Sequence, residues 1–285
     1  MTDASVTGLY IYPVKGCRGI AVRQARTSVR GLVVDSPAHP VGDREWMIVD
    51  AAGRFVTQRE VPRLALVETA IASDALRLSI EGMPALAVPL AAPAGSTREV
   101  VVWNSTVPAH DAGAAPAAWL SSALHVDARL VRFDATHERR CNPDYAGDSG
   151  AHTAFADAYP LLVAGNASLA DLNERLAATV SVALPMNRFR PNVVIEGLPA
   201  YDEDHLEAIE IGGVVLRPVK RCTRCITTTT DQSTAVRGAE PLRTLGGYRH
   251  DEALGGVTFG MNAIFVAGIG HEIVVGMPAR CTYAF

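Results

Sequence analysis

Short apolar, β-branched runs separated by Gly, Pro, Asp and Ser recur along most of the chain. Residues 9–14, Leu9-Tyr10-Ile11-Tyr12-Pro13-Val14, predict a strand ending at Lys15-Gly16. Proline favours a strand end, and glycine allows a tight turn or a close approach to a ligand. Residues 46–50 and 54–58 predict a hairpin around Ala51-Ala52-Gly53, and 64–72 with 75–80 a second one around Ser73-Asp74. Further strands are expected at 85–90, 99–103 and 126–133, a surface loop at 91–97, and a helix at 116–124 with Pro116 in its first turn. Many short strands with turn residues between them argue for a barrel or a sandwich.

The polar, turn-rich segment 139–150 reads as a mobile link between two halves. In the second half, Ser168 is expected to start the clearest helix, with Asp171 in a capping-box relation. Leu169, Leu172 and Leu176 repeat at helical spacing and predict a core-facing stripe. Strands are expected at 192–196 and 209–216, the latter turning at Gly212-Gly213. The β-branched run Ile226-Thr227-Thr228-Thr229-Thr230 predicts another. A short helix at 242–248 and strands at 263–267, 272–275 and 280–283 complete the pattern.

Composition narrows the class. A chain of 285 residues, 48% hydrophobic, can hold one large or two ordinary domains. A net charge of −4 gives no electrostatic reason to expect nucleic-acid binding. Five cysteines without a framework spacing suggest a reducing compartment. No apolar run approaches the roughly 18 residues of a membrane span, and the N-terminus lacks the basic start and apolar core of a signal peptide. The expectation is a cytoplasmic protein without a membrane span. Abundant alanine with few lysines reads as bacterial.

The stretch that carries chemistry is Lys220-Arg221-Cys222-Thr223-Arg224-Cys225. Thiolate is the nucleophilic and metal-binding form of cysteine, and neighbouring cations favour it. A C-x-x-C pair serves zinc sites, redox pairs or plain structure. A structural zinc needs more ligands, whereas Cys17, Cys141 and Cys281 stand alone and no histidine pair lies at finger spacing. A thioredoxin-type pair opens a helix, while here a threonine run follows. What remains is a thiolate at a strand mouth in a cationic setting.

Lys15 beside Gly16, Arg44 in Gly42-Asp43-Arg44-Glu45-Trp46, and Arg190 with Asn192 in Arg188-Phe189-Arg190-Pro191-Asn192 are further polar groups at strand edges. Arginine can bind a phosphate or carboxylate through two parallel hydrogen bonds. Each segment alone also reads as a solvated basic turn, and only convergence would make them a site. The acidic run Tyr201-Asp202-Glu203-Asp204-His205 reads as a solvated loop rather than a metal site, because charge runs are usually exposed. No P-loop, dinucleotide fingerprint or nucleophile elbow is present.

Taken in order, Tyr12-Pro13-Val14-Lys15-Gly16-Cys17-Arg18-Gly19, Gly42-Asp43-Arg44-Glu45-Trp46-Met47, Phe189-Arg190-Pro191-Asn192 and Cys222-Thr223-Arg224-Cys225-Ile226-Thr227-Thr228 resemble the MOSC proteins that carry an associated N-terminal β-barrel domain. Within them the chain is similar to the amidoxime-reducing components and the bacterial reductases of N-hydroxylated base analogues. The resemblance covers essentially the whole chain. Leu242-Arg243-Thr244-Leu245, Tyr248-Arg249 and Phe259-Gly260-Met261-Asn262 carry it past the cysteines.

The resemblance implies a mixed α/β, β-rich fold. An N-terminal MOSC β-barrel domain, residues 1–135, would precede a MOSC β-barrel with helices, residues 136–285. It implies a molybdenum cofactor, a molybdopterin whose metal is held by one cysteine, and that cysteine matches Cys225, the catalytic centre. Cys222 matches a cysteine that is not the ligand and is expected to be packed or a bystander. Lys15, Gly16, Arg44, Arg190 and Asn192 match positions that hold the pterin and its phosphate. Ala158 and Tyr159 match a backbone contact, and Thr223 and Arg224 flank the thiolate. A soft sulfur donor suits molybdenum, and a phosphate suits Arg, Lys and backbone N–H groups.

Two departures stand out: Gly16 and Thr223 replace serines that are common in the family. Residues 35–41 run longer than the family norm, which would reshape the entrance. The implied activity is reduction of N-hydroxylated or N-oxide compounds. No cysteine set at iron–sulfur cluster spacing is present, so electrons are expected from a separate iron–sulfur or b5-type donor protein and its reductase. A persulfide-carrying sulfur carrier at Cys225 and a non-catalytic molybdopterin-binding protein are the alternatives.

Overall fold

A computed structural model describes residues 2–91, 96–177 and 182–284. The predicted surface loop at 91–97 lies largely outside the described residues. In the first half, three small sheets and the helix α1 (Ala114–Leu124) pack around two apolar clusters, a larger one and a smaller one that includes Val100, Val107 and Phe133. One sheet runs Thr97–Val102, Ser105–Asp111, Arg129–Phe133, Trp46–Val49. A second joins Gln24–Ser28, Gly31–Val34 and Val41–Gly42, and the third Glu68–Ile71, Ala75–Ser79 and Leu86–Pro89. Ile11, Val14, Trp46, Leu64, Leu76 and Leu120 meet between them.

The second half is a closed seven-stranded barrel. Its strands are β1 (Thr2–Ile11), β2 (Leu161–Gly165), β3 (Val193–Glu196), β4 (Leu206–Ile211), β5 (Val214–Thr223), β6 (Gly256–Ala267) and β7 (Pro278–Tyr283). Around the barrel they run β2-β3-β1-β7-β4-β5-β6, with β6 pairing back onto β2. Only β2–β3 is parallel, and the crossover between those two contains the helix α2 (Asn166–Leu176). Val6, Leu9, Val163, Val193, Ile209 and Leu216 fill the interior. The halves trade strands. β1 comes from the N-terminus, and Glu272–Val274 pairs with Gln24–Ser28 in the first half.

Most predicted strands are present, and the differences have local causes. Ser105–Asp111 escapes a pattern reading because only Val107, Ala109 and Asp111 alternate inward and Pro108 interrupts. Residues 54–58 form only the isolated bridges Val49↔Phe55 and Arg54↔Val101. The segment at 139–150 is a packed connection rather than a mobile link. Arg139–Arg140 pairs with His152–Thr153, Pro143–Ala146 is a short helix capped by the Asn142 side chain, and Cys141 and Ala146 are buried against Tyr159 and Ile264.

Three further expectations are corrected. Helix α2 starts after Gly165, and Ser168 is no cap. Its hydroxyl donates to Glu203 Oε2 at 2.7 Å and accepts from Tyr201 N at 2.8 Å. The acidic run is not a solvated loop. Asp202–His205 is a 3-10 turn with Glu203 fully buried, Asp204 paired with Arg249 and Asp202 accepting from Tyr283. Among the described residues no group of three or more His, Cys, Asp or Glu is placed to hold a metal ion. The threonine run is not a strand: β5 stops at Thr223, and Ile226–Thr229 forms a 3-10 turn. Thr228 and Thr229 donate their hydroxyls to the carbonyls of Cys225 and Ile226 at 3.0 and 2.8 Å, so local bonds replace a ladder.

Candidate functional site

One cavity lies where the two halves meet. Its lining includes all ten residues singled out from the sequence: Lys15, Gly16, Arg44, Ala158, Tyr159, Arg190, Asn192, Thr223, Arg224 and Cys225. None of residues 35–41 lines it. The convergence that the sequence left open is therefore found. The cavity also takes in Arg59, which raises its cations to five, Lys15, Arg44, Arg59, Arg190 and Arg224, against one carboxylate, Asp157.

Each group is placed by the barrel ends and the turns beside them. Lys15 follows the bridge Val14↔Trp46, and its backbone N–H donates to Trp46 at 2.8 Å. Gly16 has φ +84°, a conformation that disfavours side chains. Gln58 donates to its carbonyl at 2.6 Å. The Lys15 ammonium pairs with Asp157 and lies 5.4 Å from the centre of the Phe55 ring. Burial lowers its pKa, although Asp157 opposes that shift.

Arg44 and Arg190 both adopt positive φ, 49° and 56°, which is uncommon for non-glycine residues and clusters at functional sites. Their guanidinium groups lie 4.5 and 4.3 Å from the Tyr12 ring. Arg44 pairs with the fully buried carboxylate of Asp43, which also accepts from Tyr12 N at 2.8 Å. Arg190 donates to the Cys17 carbonyl at 2.7 Å, and its Nη2 is buried without an acceptor. Burial, reinforced by Arg44, pulls its pKa down against the opposing influence of Tyr12. Asn192 is fully engaged inside the protein. Its Oδ1 accepts from Leu162 N at 3.1 Å and Arg44 at 3.2 Å, and its Nδ2 donates to Tyr10 at 3.2 Å. Its side chain positions Arg44.

The cysteines follow the end of a bulged strand. Register shifts interrupt β5 between Pro218 and Lys220 and between Arg221 and Thr223, and such bulges re-aim side chains. Cys225 sits at the start of the 3-10 turn, partly exposed. Burial alone would raise its thiol pKa. Hydrogen bonds from Thr227 and the charge and hydrogen bond of Arg59 outweigh that and lower it. Cys222 is partly exposed and lines the cavity rather than being packed away, and it accepts from Arg224 at 2.9 Å. Arg224 also donates to the Phe189 carbonyl at 2.7 Å, and its Nε is buried without an acceptor. Arg188, from the same basic segment, turns away from the cavity to hold the threonine turn through Thr228 and Asp231.

Sequence reading missed Arg59, Trp103, Asp157 and Thr227. Arg59 had no local signal, since it lies in a loop that is brought over by Arg237, which donates to the carbonyls of Gln58 and Arg59 at 2.7 and 3.0 Å. Asp157 directly precedes the Ala158-Tyr159 segment, so a carboxylate next to a candidate contact was the available clue.

A cationic cavity that holds a cysteine with a lowered thiol pKa suits an anionic ligand. The MOSC N-terminal beta barrel domain family matches residues 3–127, and the MOSC domain family matches residues 150–276. The human mitochondrial amidoxime-reducing component 1 is 35% identical over 267 residues, 92% of this chain and 77% of the relative. Component 2 from Bos taurus is 35% identical over 250 residues, 86% and 72% of the two chains. Component 1 from Mus musculus is 36% identical over 250 residues, 86% and 71%.

Proposed function

Because the chain belongs to the family that joins a MOSC N-terminal β-barrel to a MOSC domain, we propose that its cavity binds molybdopterin, with molybdenum on Cys225, and that the protein reduces N-hydroxylated compounds. One observation carries this reading: five cations and a cysteine with a lowered pKa share one cavity, and two guanidinium N–H groups there, Arg190 Nη2 and Arg224 Nε, are buried without acceptors. Unmet buried donors beside positive charge call for an anion. The donor set fits the group.

In this reading Lys15, Arg44 and Arg190 hold the phosphate, and Gly16 lets the backbone approach it. Cys225 supplies the sulfur ligand, its thiolate form favoured by Thr227 and Arg59. Thr223 and the backbone of Ala158-Tyr159 line the rest of the cavity. The cofactor, when bound, supplies a two-electron redox centre for cleavage of an N–O bond. Overall, R–NH–OH takes up two electrons and two protons and gives R–NH2 and water. The electrons are proposed to come from a separate iron–sulfur or b5-type protein served by its own reductase.

The test is metal and pterin analysis of protein made in a host that synthesises the cofactor, followed by turnover of benzamidoxime with reduced viologen. About one molybdenum per chain with turnover is expected. Molybdenum without turnover would leave a binding protein. Cyanide-labile sulfur on Cys225 without metal would point to a sulfur carrier.

A further inference from the structure

Trp103 is an unusual residue for its place. It is the first of two residues, Trp103-Asn104, that join Thr97–Val102 to Ser105–Asp111, with Val102 and Ser105 paired across the turn. Its φ is +53°, where a hairpin of this length favours glycine or asparagine. A large aromatic ring there is disfavoured by backbone conformation, and its side chain is not hidden in a core, since Trp103 is 38% exposed.

The ring is nevertheless held firmly at the cavity wall. Its Nε1 donates to Asp157 Oδ1 at 3.0 Å, across the boundary between the halves. Phe55 packs edge-on at 4.8 Å, and the Arg59 guanidinium lies 4.8 Å from the ring centre. Arg59 and Cys225 line the same cavity, so the cation that faces the ring also stands beside the thiol. Asp157 receives both Trp103 and Lys15 on Oδ1, while its side chain is 72% exposed.

The geometry points to Trp103 as a substrate-positioning ring, with Asp157 Oδ2 accepting hydrogen bonds from the N–H groups of a flat, conjugated substrate that lies on it. Strain at an exposed aromatic residue beside a cavity is the observation that asks for a role. An indole offers a broad apolar face at low entropic cost, and aromatic stacking adds to simple area burial. A carboxylate beside it favours a planar amidine-like group over a neutral apolar one. This assignment rests on the proposed reductase reading for the substrate, but not for the binding surface.

The experiment therefore has two arms, each on the full chain. In the first, benzamidine binding is measured by calorimetry on wild type, Trp103→Asn and Trp103→Phe. Asparagine suits the turn, so Trp103→Asn should keep the fold, as its melting temperature will verify. Affinity should fall about threefold to tenfold in Trp103→Asn and recover largely in Trp103→Phe. In the second arm, kcat/KM for benzamidoxime relative to acetamidoxime should drop by a similar factor in Trp103→Asn, mainly through KM.

If wild type lacks turnover but its benzamidine binding depends on the ring, the reductase reading fails and the ring assignment stands. Equal affinities and an unchanged selectivity ratio in folded Trp103→Asn would overturn the ring assignment while leaving the reductase reading intact. So would a wild type that does not bind benzamidine.

Discussion

The guanidinium of Arg224 donates to the sulfur of Cys222 at 2.9 Å and to the carbonyl of Phe189 at 2.7 Å. Cys225 has different partners, Arg59 and Thr227. The two sulfurs of the C-x-x-C pair thus sit in separate settings: Cys222 steadies a cation, and Cys225, with its lowered thiol pKa, is the proposed ligand. Cys225→Ser replaces a soft thiolate by a weak donor, so molybdenum per chain and amidoxime reduction should fall to background. Cys222→Ser keeps an acceptor for Arg224 and should retain metal and most activity. The reverse ranking would overturn the assignment of Cys225 as ligand.

The cations should differ in what their removal costs. Lys15 faces a largely exposed carboxylate, and Arg190 bonds only a backbone carbonyl and leaves an unmet N–H. Lys15→Ala and Arg190→Ala should lower pterin affinity by roughly tenfold to a hundredfold, the worth of a charge-assisted bond, with the fold intact. Arg44→Ala also strips the buried carboxylate of Asp43 of its partner. It should lose stability as well, about 3 kcal/mol, because a buried charge is left uncompensated. Pterin content and denaturant midpoints of the three variants measure both effects. An Arg44→Ala protein as stable as wild type would contradict this ranking.

The sequence exposed the strand-rich architecture because period-two patterns and Gly-Gly or Ser-Asp turns are local signals, as at Gly212-Gly213 between β4 and β5. It also exposed Lys15, Arg44, Arg190 and the cysteines, through motifs whose order resembles a family. It hid whatever depended on tertiary contacts. Arg59 shares the cavity with Cys225 through a loop that Arg237 and the Gln58–Gln232 pair tie to the other half. The threonine run has strand propensity, but its hydroxyls find carbonyls three residues back. Likewise, the acidic run has the composition of a solvated loop, yet Ser168, Arg249 and Tyr283 draw it into the structure.

Glu203 gives a pH signature. Burial raises its carboxyl pKa, although bonds from Ser168 and the N–H of Gly165 oppose the shift. A group whose folded pKa lies above its unfolded value stabilises the fold below the unfolded pKa. That contribution is lost as pH rises through the folded pKa. Wild type should therefore lose stability, relative to a neutral side chain at this position, as pH rises through the folded pKa of Glu203. The melting temperature of Glu203→Gln, neutral at every pH, should gain on that of wild type as pH is raised, and the difference should shrink in acid. Melting curves of both proteins across the pH range decide it, and a difference that does not change with pH would refute the account.

The proposed boundary between residues 135 and 136 can be tested by cutting the chain there. β1 lies between β3 and β7, pairing Ser5 with Glu196 on one side and Thr2 with Cys281 on the other. A fragment of residues 136–285 would lack that strand. Two neighbouring strands would then present unpaired N–H and C=O groups, and the barrel would lose Val6 and Leu9 from its interior. Loss of two such side chains costs several kcal/mol, of the order of a domain's whole stability. The first half would in turn lose Glu272–Val274 from the edge of its sheet. The fragment should fail to fold alone, with weak dispersion of its amide resonances and a tendency to aggregate. Joining residues 1–12 to it through a flexible linker should restore the barrel, because both edges of β1 regain their partners. In the intact chain the two halves should unfold in one transition, followed by the fluorescence of Trp46, Trp103 and Trp119, all in the first half, and by far-ultraviolet circular dichroism for the whole. A 136–285 fragment that folds cooperatively without β1 would show that the barrel closes by another route and that the traded strand is dispensable.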